Sequence, residues 1–432
     1  MKKLTLMLTL LIPIAAYSQT GLNARSMGMA GAYQSMSRGA EVARWNPANL
    51  MLPHSPNITL DIASFGLSMG NNSINLDFYN DYFSQEYFDE HESWDQQAKD
   101  EIISHFDNNF KGFINTQITP FALSYREFAF ALNYFAYSNI QLPQNLLQIP
   151  LQGIGTEPET FADIEGEAIA GAEIAFSTAK TLHPDWKFLS HFSVGATFKY
   201  FIGMSYAKVE HAEATVLSGV DSMAVNGNYQ LYLAFPYDDR GKGGDGVGLD
   251  LAAAGMAGEK LTLGLTINNL VGSINFGEIE ELHGTISLNE PGLNIDELDN
   301  MEDYLDSITV TTDTTFISPD IIRYKLPKSF VLSANYRLYP WMVVEADYHQ
   351  GLNNVAGGTT TPRLALGTEI KYLRFLPLRF GFALGGMQGT TLAAGFGFDF
   401  KYYKLDFAVA GQRGLFNGSK GVNFAISQRL VF

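Results

Sequence analysis

Large apolar residues alternate with small or polar residues along most of the C-terminal third of the chain. The same two-residue period recurs in five segments: 363–372, 379–384, 392–402, 405–410 and 422–432. In the last segment one face carries Val422, Phe424, Ile426, Leu430 and Phe432, and the other carries Asn423, Ala425, Ser427 and Arg429. A period of two puts successive side chains on opposite faces, so each segment predicts an amphipathic β-strand.

The chemistry of the two faces distinguishes a membrane barrel from a soluble sandwich. The apolar faces are rich in Phe, with Tyr near strand ends, as in the aromatic girdles of membrane barrels. The opposite faces carry Gly, Ala and Ser with scattered charges of both signs, which suits a crowded, wet interior. The pattern therefore favours an all-β fold, a transmembrane antiparallel β-barrel, over a soluble β-sandwich.

The links between the predicted strands alternate in length. Short links at 339–340, 374–377 and 402–403 alternate with longer ones at 351–361 and 411–420. Outer-membrane barrels have short periplasmic turns and longer external loops. Continuing the alternation toward the N-terminus predicts about 14 strands, with roughly 16 as the upper bound. It places the longest external loops at 80–112, 139–167 and 277–322.

Acidic residues dominate two of these loops and the chain as a whole. Residues 278–306 contain ten Asp and Glu and no Lys or Arg, and residues 81–107 contain nine acidic residues and one Lys. Solvated loops are favoured over a divalent-cation site, because no stretch has the spaced oxygen ligands and glycine of a calcium loop. The net charge of −17 argues against nucleic-acid binding. Cysteine is absent, which excludes disulfide and thiolate chemistry.

One external loop contains a predicted helix. The stretch from Ser93 to Phe110 has Ile102, Ile103 and Phe106 on one helical face. Ser93 is the predicted N-cap, because a serine oxygen accepts a hydrogen bond from the first turn of a helix.

The N-terminal region does not follow the strand pattern. Lys2, Lys3 and the apolar run that follows predict a signal peptide over residues 1–18, with the mature chain starting at Gln19. Residues 19–56 contain the small-residue stretch 22–50, which is interrupted by Gly28, Gly31 and Gly39 and lacks strand alternation. A compact segment followed by amphipathic strands predicts an N-terminal hatch inside the barrel lumen, with the barrel formed by residues 57–432.

No catalytic site, cofactor or metal site is predicted. The eight His residues form no HExxH pair, and no phosphate-loop motif is present. His349 with Asp347 and Glu345 is the nearest approach to a catalytic cluster. A structural histidine at the barrel rim is the favoured interpretation, because no serine lies near it in sequence and triads are recognised by geometry.

Charged residues are predicted on the lumen faces of the C-terminal strands. The set comprises Arg363, Glu369, Arg379, Asp399, Lys401, Asp406 and Arg429. One interpretation is a ladder of cross-strand ion pairs that stabilises the barrel interior. The other is a polar lining that holds the hatch and defines a path. The two are compatible.

The N-terminal stretch resembles the hatch of FadL-type outer-membrane transporters. The resemblance rests on two short motifs, whose residues are Met27, Gly28, Gly31, Asn46, Pro47 and Ala48. Segments 246–270 and 326–338 are also similar to parts of such barrels. FadL-related barrels of Bacteroidetes-type bacteria and the PorV-type shuttle of the type IX secretion system have a similar hatch.

The resemblance implies a monomeric barrel, plugged by its N-terminal segment, in the outer membrane of a Gram-negative bacterium. It implies uptake of hydrophobic, fatty-acid-like molecules. The implied partners are outer-membrane lipid and lipopolysaccharide, a hydrophobic ligand, and the barrel-assembly machinery acting on the last strand at Phe432. The alternatives are a non-transport interaction or secretion-shuttle barrel at the cell surface, and a hydrolase at the rim.

Overall fold

The computed structural model describes residues 22–106, 109–152, 157–184, 186, 188–218, 222–234, 243–277, 280–291, 315–317 and 321–432. The predicted signal peptide and the start of the mature chain at Gln19 lie outside the described residues, as does most of the acidic stretch 278–306.

Antiparallel strands make up most of the described chain. In chain order they are β1 (Ile58–Asn71), β2 (Phe110–Tyr125), β3 (Phe128–Leu142), β4 (Glu159–Phe161), β5 (Glu165–Leu182), β6 (His191–Ser218), β7 (Ser222–Ala234), β8 (Gly244–Ala257), β9 (Leu261–Phe276), β10 (Glu280–Pro291), β11 (Thr315–Ile317), β12 (Ile322–Lys325), β13 (Ser329–Tyr339), β14 (Met342–Gly351), β15 (Arg363–Ile370), β16 (Leu378–Gly385), β17 (Thr391–Asp399), β18 (Tyr403–Gln412) and β19 (Gly421–Val431).

Fourteen of the described strands close into a ring. The order is β1, β2, β3, β5, β6, β8, β9 and then β13 to β19, and β19 pairs with β1. Thr59 on β1 is opposite Ser124 on one side and Val431 on the other, which closes the sheet. A closed ring leaves no unpaired strand edge, the condition for strands to cross hydrocarbon. The predicted barrel class and strand number are confirmed.

The strand faces differ in exposure as the alternation predicts. On β18, Val409 is 55% exposed whereas the neighbouring Ala408 and Ala410 are buried. The exposed large residues on the other strands of the ring are also mainly Phe, Leu, Tyr and Val, while the buried faces carry small and polar residues. The ring therefore presents an apolar outer surface and a polar, small-residue inner surface. Among the described residues, no helix is long and apolar enough to cross a membrane.

Short turns lie at one end of the ring and long links at the other, which we call the inner and outer ends. Strands β4, β7, β10 and β11 belong to the outer end, where β6 continues beyond the ring and pairs with β4 and β7. Residues 57–79 form the single kinked strand β1 followed by the start of a helix. The kink is a register shift between Ile62 and Phe65, where Ala63 has a φ of 50°.

The α-helices are α1 (Ala24–Gly28), α2 (Leu76–Phe83), α3 (Gln85–Glu90), α4 (Gln96–Ser104) and α5 (Gln144–Gln152). Short 3₁₀ helices span Gly39–Arg44, Pro47–Met51 and Phe416–Gly418.

The predicted helix from Ser93 to Phe110 is shorter than expected, and its predicted cap is wrong. The helix is α4, and its N-cap is Asp95, whose Oδ1 accepts the backbone N–H of Ala98 at 2.8 Å. A carboxylate two residues nearer the helix takes the role assigned to the serine. The predicted apolar face is correct, because Ile102 and Phe106 are buried against Phe78 and Leu151.

Candidate functional site: the N-terminal segment inside the barrel

Local capping gives the N-terminal segment, residues 22–56, its compact shape. The Oδ1 atom of Asn23 accepts the N–H of Ser26 at 2.8 Å, so α1 starts there. The chain leaves α1 through Gly31, at a φ of 92° that glycine adopts without steric cost. Asn46 Oδ1 accepts the N–H of Ala48 at 3.0 Å, and Pro47 occupies the first position of the following 3₁₀ helix.

The segment contacts strands around the whole ring. Helix α1 packs against β16 to β19, the 3₁₀ helix 39–44 against β1, β2, β3 and β5, and the 3₁₀ helix 47–51 against β5, β6 and β8. The approach is close enough to require glycine in the wall. A Cβ added at Gly381 would lie 2.1 Å from the carbonyl carbon of Met29, and one at Gly195 would lie 2.6 Å from the N atom of Ala48.

The hatch-motif residues all lie at this contact with the wall. Met27 is buried with Ala408 and Ala425, and a Cβ at Gly28 would lie 3.1 Å from Gly395 Cα. Asn46 Nδ2 donates to the backbone oxygen of Ala253 at 3.2 Å. The hydroxyl of Ser193 on β6 donates to the backbone oxygen of Ala48 at 2.8 Å. The small residues of the motif thus allow backbone to approach backbone.

Ion pairs link the segment to the inner half of the wall. Arg429 on β19 bridges Glu41 of the segment and Asp61 on β1. Arg25 of the segment lies 3.5 Å from Glu41 and 3.4 Å from Glu369 on β15. Burial by itself would raise the pKa of Glu41, but Arg429 and Arg25 lower it to about 2, so the carboxylate is charged at neutral pH.

The network continues along the wall through other predicted lumen residues. Arg379 donates to Glu369 at 2.7 Å and to Asp406 at 2.6 Å, and its side chain is buried. Asp399 pairs with Lys404 at 3.0 Å near the inner rim. Arg363 donates to the backbone oxygen of Ala30 at 3.1 Å, which adds a further contact with the segment.

Lys401 is the one predicted lumen residue that the structure places elsewhere. Strand β17 ends at Asp399, so Lys401 lies in the following turn, where the alternation of faces no longer applies. Its side chain is exposed, with Nζ 4.7 Å from the centre of the Tyr402 ring. Lys371 and Lys404 are the lysines that pair with Asp399.

The histidine and its two acidic neighbours on β14 are buried and not open to solvent. Glu345, Asp347 and His349 are all fully buried on the inner face of β14. Asp347 Oδ2 accepts the backbone N–H groups of Tyr33 at 2.8 Å and Gln34 at 3.0 Å.

The neighbouring carboxylate has the same role. Glu345 accepts the backbone N–H of Ser35, and Ser35 Oγ lies 2.7 Å from Ser333 Oγ on β13. The two carboxylates therefore hold three consecutive amides of the segment. Sequence reasoning favoured a structural role for His349 but identified no partner for the two carboxylates, because the amides they bind are more than 300 residues away in the chain.

Aromatic side chains occupy the outer half of the lumen. The buried cluster includes Phe135, Tyr137, Phe201, Tyr206, Phe276 and Tyr324. The link between β14 and β15 folds inward onto it, so that Ala356 is fully buried. The Tyr324 hydroxyl donates to the backbone oxygen of Ala356, and the Ala356 N–H donates to Glu167. The segment therefore contacts the wall in the inner half of the lumen, and this aromatic cluster lies in the outer half.

A small void lies between the segment and an irregular part of the wall. Its volume is about 30 Å³, and Trp45, Gln117 and Asn133 are among its lining residues. The register of β2 with β3 shifts between Ile118 and Phe121, next to the kink in β1. Among the described residues, no group of three or more His, Asp or Glu side chains could hold a metal ion.

This arrangement defines a class: the chain has the fold of FadL-type barrels. Over 96% of this chain and 99% of the other, it is similar to the Ralstonia pickettii toluene transporter TbuX, with a TM-score of 0.52 at 12% identity. A Pseudomonas aeruginosa FadL homologue matches 97% of this chain with all of its own length, with a TM-score of 0.51 at 14% identity. The P. putida toluene transporter TodX gives a TM-score of 0.50 at 13% identity, over 96% of this chain and 99% of its own.

The sequence itself assigns the chain to a family. Residues 47–410 match DUF5723, a family of unknown function, and the chain belongs to it. A comparison with curated protein sequences finds no significant match.

Proposed function

We propose that the protein is an outer-membrane transporter that takes up small hydrophobic molecules, with the N-terminal segment as its hatch. The proposal rests on which chemical groups make the contact between the segment and the wall. Backbone amides, buried carboxylates and arginines make much of that contact, and its apolar part consists of small separate clusters, mostly of Ala side chains, rather than one continuous core. Polar contacts of this kind can be exchanged for water when a segment moves, whereas an apolar core resists hydration.

The apolar outer face and the closed ring support placement in a membrane, and the FadL-type fold supports the outer membrane of a Gram-negative bacterium. In this proposal the hatch corresponds to residues 19–56 and the barrel to residues 57–432. The irregular registers of β1 and β2 beside the small void offer a place where the wall can part when the hatch moves. Fatty acids and monoaromatic hydrocarbons are both candidate substrates, since FadL-type relatives include toluene transporters.

Uptake in a strain that lacks the protein tests the proposal. Radiolabelled toluene and a long-chain fatty acid are supplied separately to the deletion strain, with and without the gene restored. Restoration should raise the uptake rate of at least one compound, while a labelled sugar serves as the hydrophilic control. Unchanged uptake of both hydrophobic compounds would contradict the transport function.

A second candidate function is an interaction or secretion-shuttle barrel at the cell surface. It is favoured by the extension at the outer end, where β7 and β10 pair in register beyond the ring. Among the described residues, the second side of β10 is paired only over Glu281–His283, by β11, so the rest of that edge could receive a partner strand. This function predicts that a cell-surface protein co-purifies with the barrel and that uptake is unaffected by deletion.

Two further partners belong to the proposal. Outer-membrane lipid and lipopolysaccharide would surround the apolar face. The barrel-assembly machinery would act on β19, whose end at Phe432 is exposed and pairs its N–H with the Ile58 oxygen at 3.0 Å.

A further inference from the structure

A roofed apolar groove lies on the outside of the barrel at its outer end. Its volume is about 1060 Å³, just above the roughly 300–1,000 Å³ typical of ligand pockets. The side chains of its floor point away from the lumen and come from β1, β2, β17, β18 and β19: Met69, Ile114, Leu392, Val409 and Val422. Val409 and Val422 are 55% and 50% exposed, while Ala410 and Asn423 beside them are buried on the inner face.

Two glycines of the wall line the groove. Gly112 and Gly411 occupy outward positions of β2 and β18, opposite Asn71 and Val422 in register. Neither position adds a side chain to the floor of the groove. A depression in a lipid-facing wall can receive an alkyl chain that a flat wall would only touch from one side.

The roof of the groove is built from two chain segments that overhang the wall. Leu76 and Tyr79 lie three residues apart on α2 and are 50% and 51% exposed. The 3₁₀ helix Phe416–Gly418 forms the other side, with Phe416 92% exposed. Asn75 Nδ2 donates to the backbone oxygen of Gly418 at 3.4 Å and joins the two segments.

Among the described residues that line the groove, one carries a positive charge, and it lies at the polar edge. Lys420 lines it, and its Nζ donates to the backbone oxygen of Asn72 at 3.0 Å, not to a carboxylate of the described residues. The charge therefore remains available to an anion, in a chain whose net charge is −17. An ammonium above an apolar groove is complementary to a molecule with an anionic head and alkyl chains.

The wall behind the groove is continuous. Gly70 is paired with Phe113 on one side and Gly421 on the other, and Ala393 is paired with Ala410. No gap between these described strands leads from the groove to the lumen, so an occupant stays on the membrane side. The groove is therefore open to the surrounding leaflet and separated from the lumen by these paired strands.

We propose that this groove is a binding site for an outer-leaflet lipid of the lipopolysaccharide type, with acyl chains against the floor and a phosphate beside Lys420. The proposal rests on the outer-membrane placement in the proposed function, but not on uptake. The bound lipid would fix the overhang of α2 and the 416–418 turn against the wall.

Native mass spectrometry of the full-length protein, extracted from outer membranes in a mild detergent, tests the site. The wild-type protein should retain about one lipid A molecule per barrel. Val422→Trp, which fills the groove, should lose at least about nine-tenths of that lipid. Val247→Trp is the matched control, because Val247 is an outward valine of β8, 64% exposed and far from the groove.

Lys420→Gln should weaken retention of lipid A bearing phosphates more than that of the enzymatically dephosphorylated lipid, and Lys99→Gln should change neither. A heat-dependent shift in electrophoretic mobility confirms that each variant is a folded barrel. Equal lipid retention by the two tryptophan variants, or retention of phospholipid instead of lipid A, would overturn the proposal. Uptake is measured on the same variants, so that loss of the lipid site and loss of transport are scored separately.

Discussion

Replacing Arg429 with Met is expected to lower the free energy of unfolding by about 3–5 kcal/mol, the cost of leaving buried carboxylates without their partner. Arg429 bridges Glu41 of the segment and Asp61 of the wall, and no other arginine of the described residues is within ion-pair distance of both. Methionine keeps much of the side-chain volume, so the effect reports on charge. Urea unfolding of the barrel in lipid vesicles measures it.

The double variant Arg429→Met/Glu41→Gln is the control for this prediction. Arg429→Met leaves the carboxylates of Glu41 and Asp61 without this cationic partner. Because Glu41→Gln removes one of these two charges, the double variant should be more stable than Arg429→Met alone. If the two substitutions were simply additive, the ion pair between segment and wall would have no energetic role. Arg337→Met, a change of the same type at an exposed position of β13, should have little effect.

Replacing Asp347 with Leu is expected to release the turn at residues 33–35 from the wall. The variant leaves the buried N–H groups of Tyr33 and Gln34 without an acceptor. Each unsatisfied group costs about 1–3 kcal/mol, so the free energy of local opening should fall by about 2–6 kcal/mol. Amide hydrogen exchange of residues 33–35 measures that opening directly.

Asp347→Asn is the matched control, because its side-chain carbonyl oxygen still accepts hydrogen bonds at the same position. It should retain most of the protection. Protection that is unchanged in Asp347→Leu would mean that the Asp347 carboxylate on β14 does not hold the segment against the wall.

Alternation along the strands was enough to predict the barrel, its strand number and the inner placement of residues such as Arg379 and Asp406. These features are local, because a two-residue period is visible in any short stretch. The error at Lys401 has the same origin, since the period does not reveal the residue at which a strand ends.

The partners of the lumen residues could not be predicted in this way. Glu41, Arg25 and Asp347 bind atoms that are distant in sequence, and only the closed ring brings them together. The buried position of His349 likewise depends on the segment that covers β14. The fold could therefore be inferred from the pattern, whereas the attachment of the segment required the three-dimensional structure.

A reversible disulfide between segment and wall tests most directly whether the segment moves during transport. The chain has no cysteine, so two introduced cysteines can pair only with each other. Ser35 and Ser333 are suitable because their Oγ atoms are 2.7 Å apart. The control pair is Ser177 and Thr197, whose hydroxyl oxygens are 2.8 Å apart on neighbouring wall strands.

Uptake of a labelled hydrophobic substrate is then measured in cells before and after oxidation, and again after reduction. If the segment is a moving hatch, oxidised Ser35→Cys/Ser333→Cys should take up no more than the deletion strain, reduction should restore uptake, and Ser177→Cys/Thr197→Cys should be active throughout. Full uptake by the oxidised Ser35→Cys/Ser333→Cys protein would contradict the moving hatch.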